Sequence, residues 1–315
     1  MIAPEAPNGM KKLHFLLSLT NDDNDYQVEQ TSAARHAARK LGVDLDIIYA
    51  NNDGIVQSQQ LLASIQSTTA ARPDAVIFEP AGSTAHPQVA RAAVAAGIGV
   101  VLLNHSDDYI GELRRLFHVP AFAITSNHEE IGRIQGQQLG TLLPAGGIAL
   151  YIQGPSESSA ARQRYAGLLE TKSKDLQLRV VKAQWTEASA YKTVSSWLRL
   201  PTSRQAQIEA VCAQDDSMAR GARKAFEECA DLREQLQKMP FLGCDGLPKT
   251  GQEWVRRKLL TATIFIPPNA DLAIEMMVKS IANGALPPER TFTTAKSFPA
   301  IDLLAQQSSA RAGSR

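Results

Sequence analysis

The sequence predicts an α/β protein built as two doubly wound, parallel-sheet lobes. Three observations predict it. Short β-branched or leucine-rich runs alternate with amphipathic segments through most of the 315 residues. The rhythm restarts after Phe122. Segments 15–41 and 149–174 also read alike, each as a strand, a polar turn and an Ala/Arg-rich helix. Strands alternating with helices of this length imply right-handed βαβ crossovers and a parallel sheet.

Taken in order, 13–19 is a strand. Residues 26–41 form a helix with Ala and Val on one face and Arg, Lys and Glu on the other, broken by Gly42. Then follow strand 46–49, helix 57–68, strand 75–78, helix 87–96 and strand 100–103. After Phe122 come helix 126–143, strand 148–152, helix 159–172, strand 180–183, helix 191–200, strand 209–213, helix 218–228 and strand 241–243. Charged segment 231–240, ending in Met239-Pro240, reads as a surface insertion. The tail 305–315 lacks apolar periodicity and is expected to be disordered.

At 44% hydrophobic and 21% charged residues, the composition is that of a globular protein. The net charge of +1, without a Lys/Arg cluster, argues against nucleic acid as a partner. Three cysteines (Cys212, Cys229 and Cys244), with no C-x-x-C pair, read as inert buried thiols. Lys11-Lys12 before an apolar run imitates a secretory signal. However, His14 and Ser18 interrupt the run and an Asx cluster follows it, so a first strand is the better reading. No stretch approaches the ~20 apolar residues of a membrane span.

Catalytic and cofactor signatures fail at defining positions. There is no G-x-S-x-G elbow, no phosphate loop with its lysine, and no G-x-G-x-x-G after the first strand. His128-Glu129-Glu130 lacks the second histidine of a zinc helix. The run from Asn21 to Asp25 suggests calcium. Counted from Asp23, though, Val28 and Ala34 occupy the glycine and glutamate positions of the loop, and a polar turn with a helix cap fits better. No cofactor, metal or enzymatic activity is expected.

Polar and aromatic residues remain, recurring just beyond the strands. Ligands of open α/β sheets bind at that place. Asn24, Tyr26 and Gln27 follow the first strand, Glu79 the third, and Asn104 and His105 the fourth. Arg164 lies early in the helix after Gly154-Pro155, Trp185 follows strand 180–183, and Asp215 and Asp245 follow the strands ending near 213 and 243. Each alone fits a plainer role: Asp245-Gly246 a turn, Arg164 a solvated helix residue, Trp185 core. Together they suit a sugar or polyol. Flat rings cover apolar C–H faces, while carboxylates, amides and guanidinium groups fork hydrogen bonds to neighbouring hydroxyls.

The motifs Ile152-Gln153-Gly154 with Ser159 to Arg164, Ala213-Gln214-Asp215-Asp216-Ser217-Met218, Gly243-Cys244-Asp245-Gly246 and Leu260 to Ile264 resemble the type I periplasmic sugar-binding proteins, from about Lys11 to Leu303. Ser126-Asn127 with Ile131-Gly132 fits the family's entry into its second lobe. The resemblance implies two Rossmann-like lobes joined by a three-crossing hinge, 11–122 with 267–290 and 123–266 with 291–304, with a ligand enclosed between them. It implies ligand contacts at Ser18, Asn24, Tyr26, Gln27, Glu79, Asn104, His105, Arg164, Trp185, Asp215, Asp245 and Ile266. The chain departs from the family at Asn104-His105, where an Asp-Arg pair is common, and at Glu79, Asp215 and Ile266, where amides are common. Those departures point away from ribose towards a less hydroxylated, neutral or amine-bearing ligand.

The resemblance further implies a periplasmic, monomeric solute receptor. It would take a sugar, polyol or amino sugar and serve an ABC permease. A ligand sensor speaking to a partner such as a sensor kinase is the other reading. No export signal stands in the chain, which leaves the cytoplasm open. No helix-turn-helix precedes Lys11, so a complete DNA-binding repressor is not expected.

Overall fold

The computed structural model describes residues 12–82, 85–105 and 107–313. Its elements run β1 His14–Leu19, α1 Asp25–Leu41, β2 Asp44–Tyr49, α2 Gly54–Ile65, β3 Ala75–Phe78, α3 Pro87–Ala95, β4 Gly99–Leu103, α4 Tyr109–Leu116 and β5 Ala121–Ser126. Next come α5 His128–Leu142, β6 Gly147–Gln153, α6 Ser159–Thr171, β7 Leu176–Lys182, α7 Glu187–Leu198, α8 Pro201–Gln205, β8 Ala210–Ala213 and α9 Asp216–Glu227. After a 3₁₀ turn follow α10 Arg233–Lys238, β9 Phe241–Leu242, α11 Gly251–Arg256, β10 Thr263–Phe265, α12 Ala270–Asn283, β11 Arg290–Thr293, β12 Lys296–Phe298 and α13 Ile301–Gly313.

Two compact units result. The first takes the chain up to Thr125 and Pro268–Thr293; the second takes Ser126–Pro267 and everything from Thr294 onward. In the first, the sheet order is β11-β5-β4-β3-β1-β2, with β1 to β5 paired in parallel. Strands β3, β4 and β5 are buried along their whole length, as parallel strands covered on both faces must be. Ala34, Ala37 and Ala38 of α1 and Ala273, Ile274 and Met277 of α12 form one core with one face of the strands. Leu61, Val89, Ala93 and Leu113, from α2 to α4, form the other. The sheet is therefore doubly wound. Gly42 ends α1 in the left-handed conformation (φ 69°), which costs an amino acid without Cβ nothing.

The second unit repeats the plan around the parallel sheet β7-β6-β8-β9. Helices α7 and α9 pack with one core and α5 and α6 with the other. β10 pairs antiparallel with β12 as a separate two-stranded ribbon, and single parallel bridges, Leu242 to Ala262 and Asp245 to Phe265, tie it back to the β9 segment.

Several elements differ from the sequence reading. β5 and α4 occupy a stretch to which it assigned nothing. β7 begins at Leu176 rather than 180; it is an edge strand whose exposure alternates only from Leu176 to Arg179. Segment 231–240 is not a mere insertion, because Leu232 and Leu236, four residues apart, pack on the second unit's core and Met239 is buried. The tail is helical through Gly313, not disordered. Leu304 is fully buried and anchors α13, and good helix formers such as Ala305, Gln306 and Gln307 carry it on. Lys11 lies outside the described residues.

Candidate functional site

In the first unit the residues after the strands are held by buried amides. Gln57, fully buried on α2, donates from Nε2 to the Ser18 hydroxyl (3.0 Å) and the Glu79 carbonyl (2.8 Å). Its Oε1 accepts from the Ala81 N–H (2.7 Å) and meets His86 Nε2 at 2.9 Å. Asn24 caps α1 by accepting from the Tyr26 N–H (2.9 Å), which sets buried Tyr26 and Gln27 in the first turn. Gln27 Nε2 donates to Glu79 Oε2 at 3.0 Å. With the nitrogen so engaged, buried Gln27 Oε1 has no partner among the described residues.

One strand along, Asn104 follows β4 with φ 55°, and its Oδ1 accepts from Asn269 Nδ2 (2.8 Å). Asn269 is itself locked: Gln30 Nε2 donates to its Oδ1 (2.7 Å), and Gln30 Oε1 accepts the N–H groups of Asn269 and Ala270. Burial lowers the pKa of His105, and His86 adds to this against the raising effects of Asp107 and a Leu103 hydrogen bond, so the ring is neutral near pH 7. Its Nδ1 is buried and unpartnered among the described residues.

The second unit centres on Arg164, on α6 and 7% exposed. Its Nη1 donates to the Gln214 carbonyl, while Nε has no partner among the described residues. The guanidinium carbon lies 5.6 Å from the centre of the Trp185 ring, a cation–π arrangement. Burial opposes the positive charge. Cys244, Asp245, Tyr151 and Asp215 together outweigh it and raise the arginine pKa further. Trp185 has φ 52°, and its ring lies where a side chain on Gly154, the residue after β6, would be, so a larger residue there would displace the indole. Gln214 fixes the floor: its Oε1 accepts from the Gly154 N–H (2.9 Å), and its Nε2 donates to the Tyr151 hydroxyl (2.7 Å) and the Ala161 carbonyl (2.9 Å).

Asp215 caps α9, accepting from the Met218 N–H at 2.5 Å. Neighbouring Asp216 turns inward, where its Oδ2 accepts from the Gly246 N–H (2.8 Å) and its Oδ1 from the Thr263 hydroxyl (2.6 Å). This carboxylate thereby fixes the turn that presents Asp245. Asp245 has φ 97°, and its carbonyl accepts from the N–H of buried Ile266 (3.0 Å).

The structure thus brings Arg164, Trp185, Asp215, Asp245 and Ile266 together in one unit. In the other it links Ser18, Gln27 and Glu79 through hydrogen bonds, with Asn24 and Tyr26 at the adjoining helix start and Asn104-His105 on the next strand. Ser18 is fully buried with its hydroxyl bonded to Gln57. Asn104, Trp185 and Asp245 all have positive φ, uncommon for non-glycine residues and concentrated at ligand sites. Sequence reasoning missed Gln30, Gln57, Gln214, Asp216 and Asn269. Gln214 and Asp216, which flank Asp215 in the Ala213-Gln214-Asp215-Asp216 motif, carried a local hint.

Among the described residues no group of three or more His, Cys, Asp or Glu side chains could hold a metal ion. Asn21 instead bonds Asn52 (2.9 Å) and accepts from the Asn24 N–H (3.0 Å), which is a polar turn. An open depression of about 570 Å³ lies elsewhere on the first unit, between Asp53, Gly54, Ala81, His86 and Gln88, and includes none of the predicted contacts. Trp254 stands apart, half-buried on the second unit's core with Arg220 4.9 Å from its ring centre. Trp254→Ala is expected to cost about 2–3 kcal/mol of stability in denaturant titration while leaving ligand affinity within twofold. An unchanged midpoint with weakened affinity would move Trp254 into the site.

Residues 15–285 match the model of the periplasmic binding protein domain. The chain belongs to that family. A relative of this periplasmic binding protein, a putative rhizopine-binding protein of Rhizobium meliloti, is 31% identical over 191 residues, 59% of this chain and 58% of that protein. The ribose import binding protein of Escherichia coli K12 is 26% identical over 83% of this chain and 82% of its own length. Among solved structures, an ABC transporter periplasmic solute-binding protein of Actinobacillus succinogenes 130z with bound D-allose superimposes with a TM-score of 0.79 at 22% identity, covering 91% of this chain and 97% of that one. The fold is that of the type I periplasmic binding proteins, as the sequence predicts. No helix among the described residues is long and apolar enough to cross a membrane.

Proposed function

We propose that the chain is a periplasmic solute-binding protein. It captures a small sugar or sugar-like molecule and delivers it to an ABC permease. The observation that carries this reading is the Arg164 constellation. A buried guanidinium with an unspent N–H, an indole beside it and two carboxylates in its field form a forked polar grip next to an apolar wall. Hydroxylated rings with apolar C–H faces fit that grip. Family membership and the names of the relatives support it.

A thermal-shift screen of sugars, polyols, amino sugars and small acids tests the reading. A ligand that binds only the folded state adds RT ln(1 + [L]/Kd), about 2.7 kcal/mol at a hundredfold excess over Kd. For a protein of this size that raises Tm by roughly 5 °C or more, and the shift should survive a chelator. No shift with any sugar, polyol or amino sugar would overturn the proposal.

A further inference from the structure

Resting on the sugar-binding reading, we propose that the preferred solute is cationic: an amino sugar or amino polyol whose ammonium is held on the first unit by the Glu79 carboxylate and Gln27 Oε1. The hydrogen bond from Gln27 Nε2 to Glu79 Oε2, 3.0 Å long, fixes which end of the amide is left over. That end is an oxygen, buried in a residue 5% exposed and without a partner among the described residues. A buried acceptor left unmatched costs about 1–3 kcal/mol, so the site is built to receive a donor there.

The Glu79 carboxylate beside it is an acceptor too. Gln57 is spent on Ser18, Glu79, Ala81 and His86 and offers no spare donor. Glu79 follows β3 and His105 follows β4, strands paired in register at Phe78 and Leu102. His105 Nδ1 is buried and without a partner among the described residues, and a neutral ring can present it as donor or acceptor. A hydroxyl supplies one proton and two lone pairs, so placed between adjacent acceptors it satisfies one and opposes the other. An ammonium supplies three protons and no lone pair, and its bond to a carboxylate is charge-assisted. Charge agrees: of the first unit's candidate contacts, Glu79 is an acid and none is a lysine or arginine.

Titration calorimetry with matched pairs tests this: glucosamine against glucose, galactosamine against galactose, and an aminodeoxy-inositol against the corresponding inositol. The amine is expected to bind at least tenfold more tightly than its hydroxyl counterpart in at least one pair. Glu79→Gln is expected to reduce that preference at least tenfold. A neutral member that binds as tightly as its amine in every pair overturns the amine assignment and leaves the sugar-binding reading standing. So does a preference that Glu79→Gln leaves intact. If no member of any pair binds, both fall. The wild-type ratios decide the question even if the variant folds poorly.

Discussion

Asp245→Ala weakens ligand binding ten- to more than a hundredfold. A hydrogen bond to a buried charged group contributes about 1.5–3 kcal/mol, and each 1.4 kcal/mol is a factor of ten. The same change also lowers Tm. Asp245 sits at φ 97°, where alanine pays the left-handed penalty of roughly 1–2 kcal/mol that aspartate and asparagine partly escape. Asp245→Asn separates the two effects. Asparagine keeps the turn, the backbone bridge to Phe265 and the Ile266 hydrogen bond, and removes only the charge. The account therefore expects Asp245→Asn to lose most of the affinity and little Tm. If Asp245 merely closes a turn, affinity stays at the wild-type value.

The second large effect is at a position that touches no ligand. Helices α5 and α6 meet through Gly132 and Gly167. A Cβ on Gly132 would overlap the Arg164 carbonyl oxygen, and one on Gly167 would overlap that of Glu129. Backbone cannot yield as a side-chain tip can, so Gly132→Ala forces α6 outward and carries Arg164 with it. Overpacking of this kind costs about 1–3 kcal/mol, or several degrees of Tm. Because the displaced turn carries Arg164 itself, affinity measured well below Tm should also fall, by about tenfold if one charged hydrogen bond is misplaced. Gly140, on the same helix with nothing near its added Cβ, is the control. Gly140→Ala should leave affinity unchanged and hold or raise Tm.

What the sequence made legible follows from which forces act locally. The strand–helix rhythm is written in hydrophobic periodicity, so the fold class could be read from it, and the residues after the strands could be named because topology puts them at one edge. Trp185 and Asp245 were named that way, and the structure places both near Arg164. β5 escaped because Ala121–Ser126, with two alanines and a closing Thr-Ser, lacks the continuous Val, Ile and Leu run that announces β3 and β4. The glutamines that hold the site escaped for another reason. Gln30 and Gln57 resemble any polar residue of a helix or loop, and only tertiary pairing shows them bonded at both ends of the amide. Asp216 is similar. Its partners Gly246 and Thr263 lie 30 and 47 residues away, and no spacing rule links them.

The most direct measurement is a crystal structure of the protein with the tightest-binding solute from the calorimetric series. The solute's ring is expected against Trp185, with hydrogen bonds from it to Arg164 and Asp245. A solute seated instead in the depression between Asp53, Gly54 and His86, with Arg164 and Asp245 untouched, would contradict this expectation.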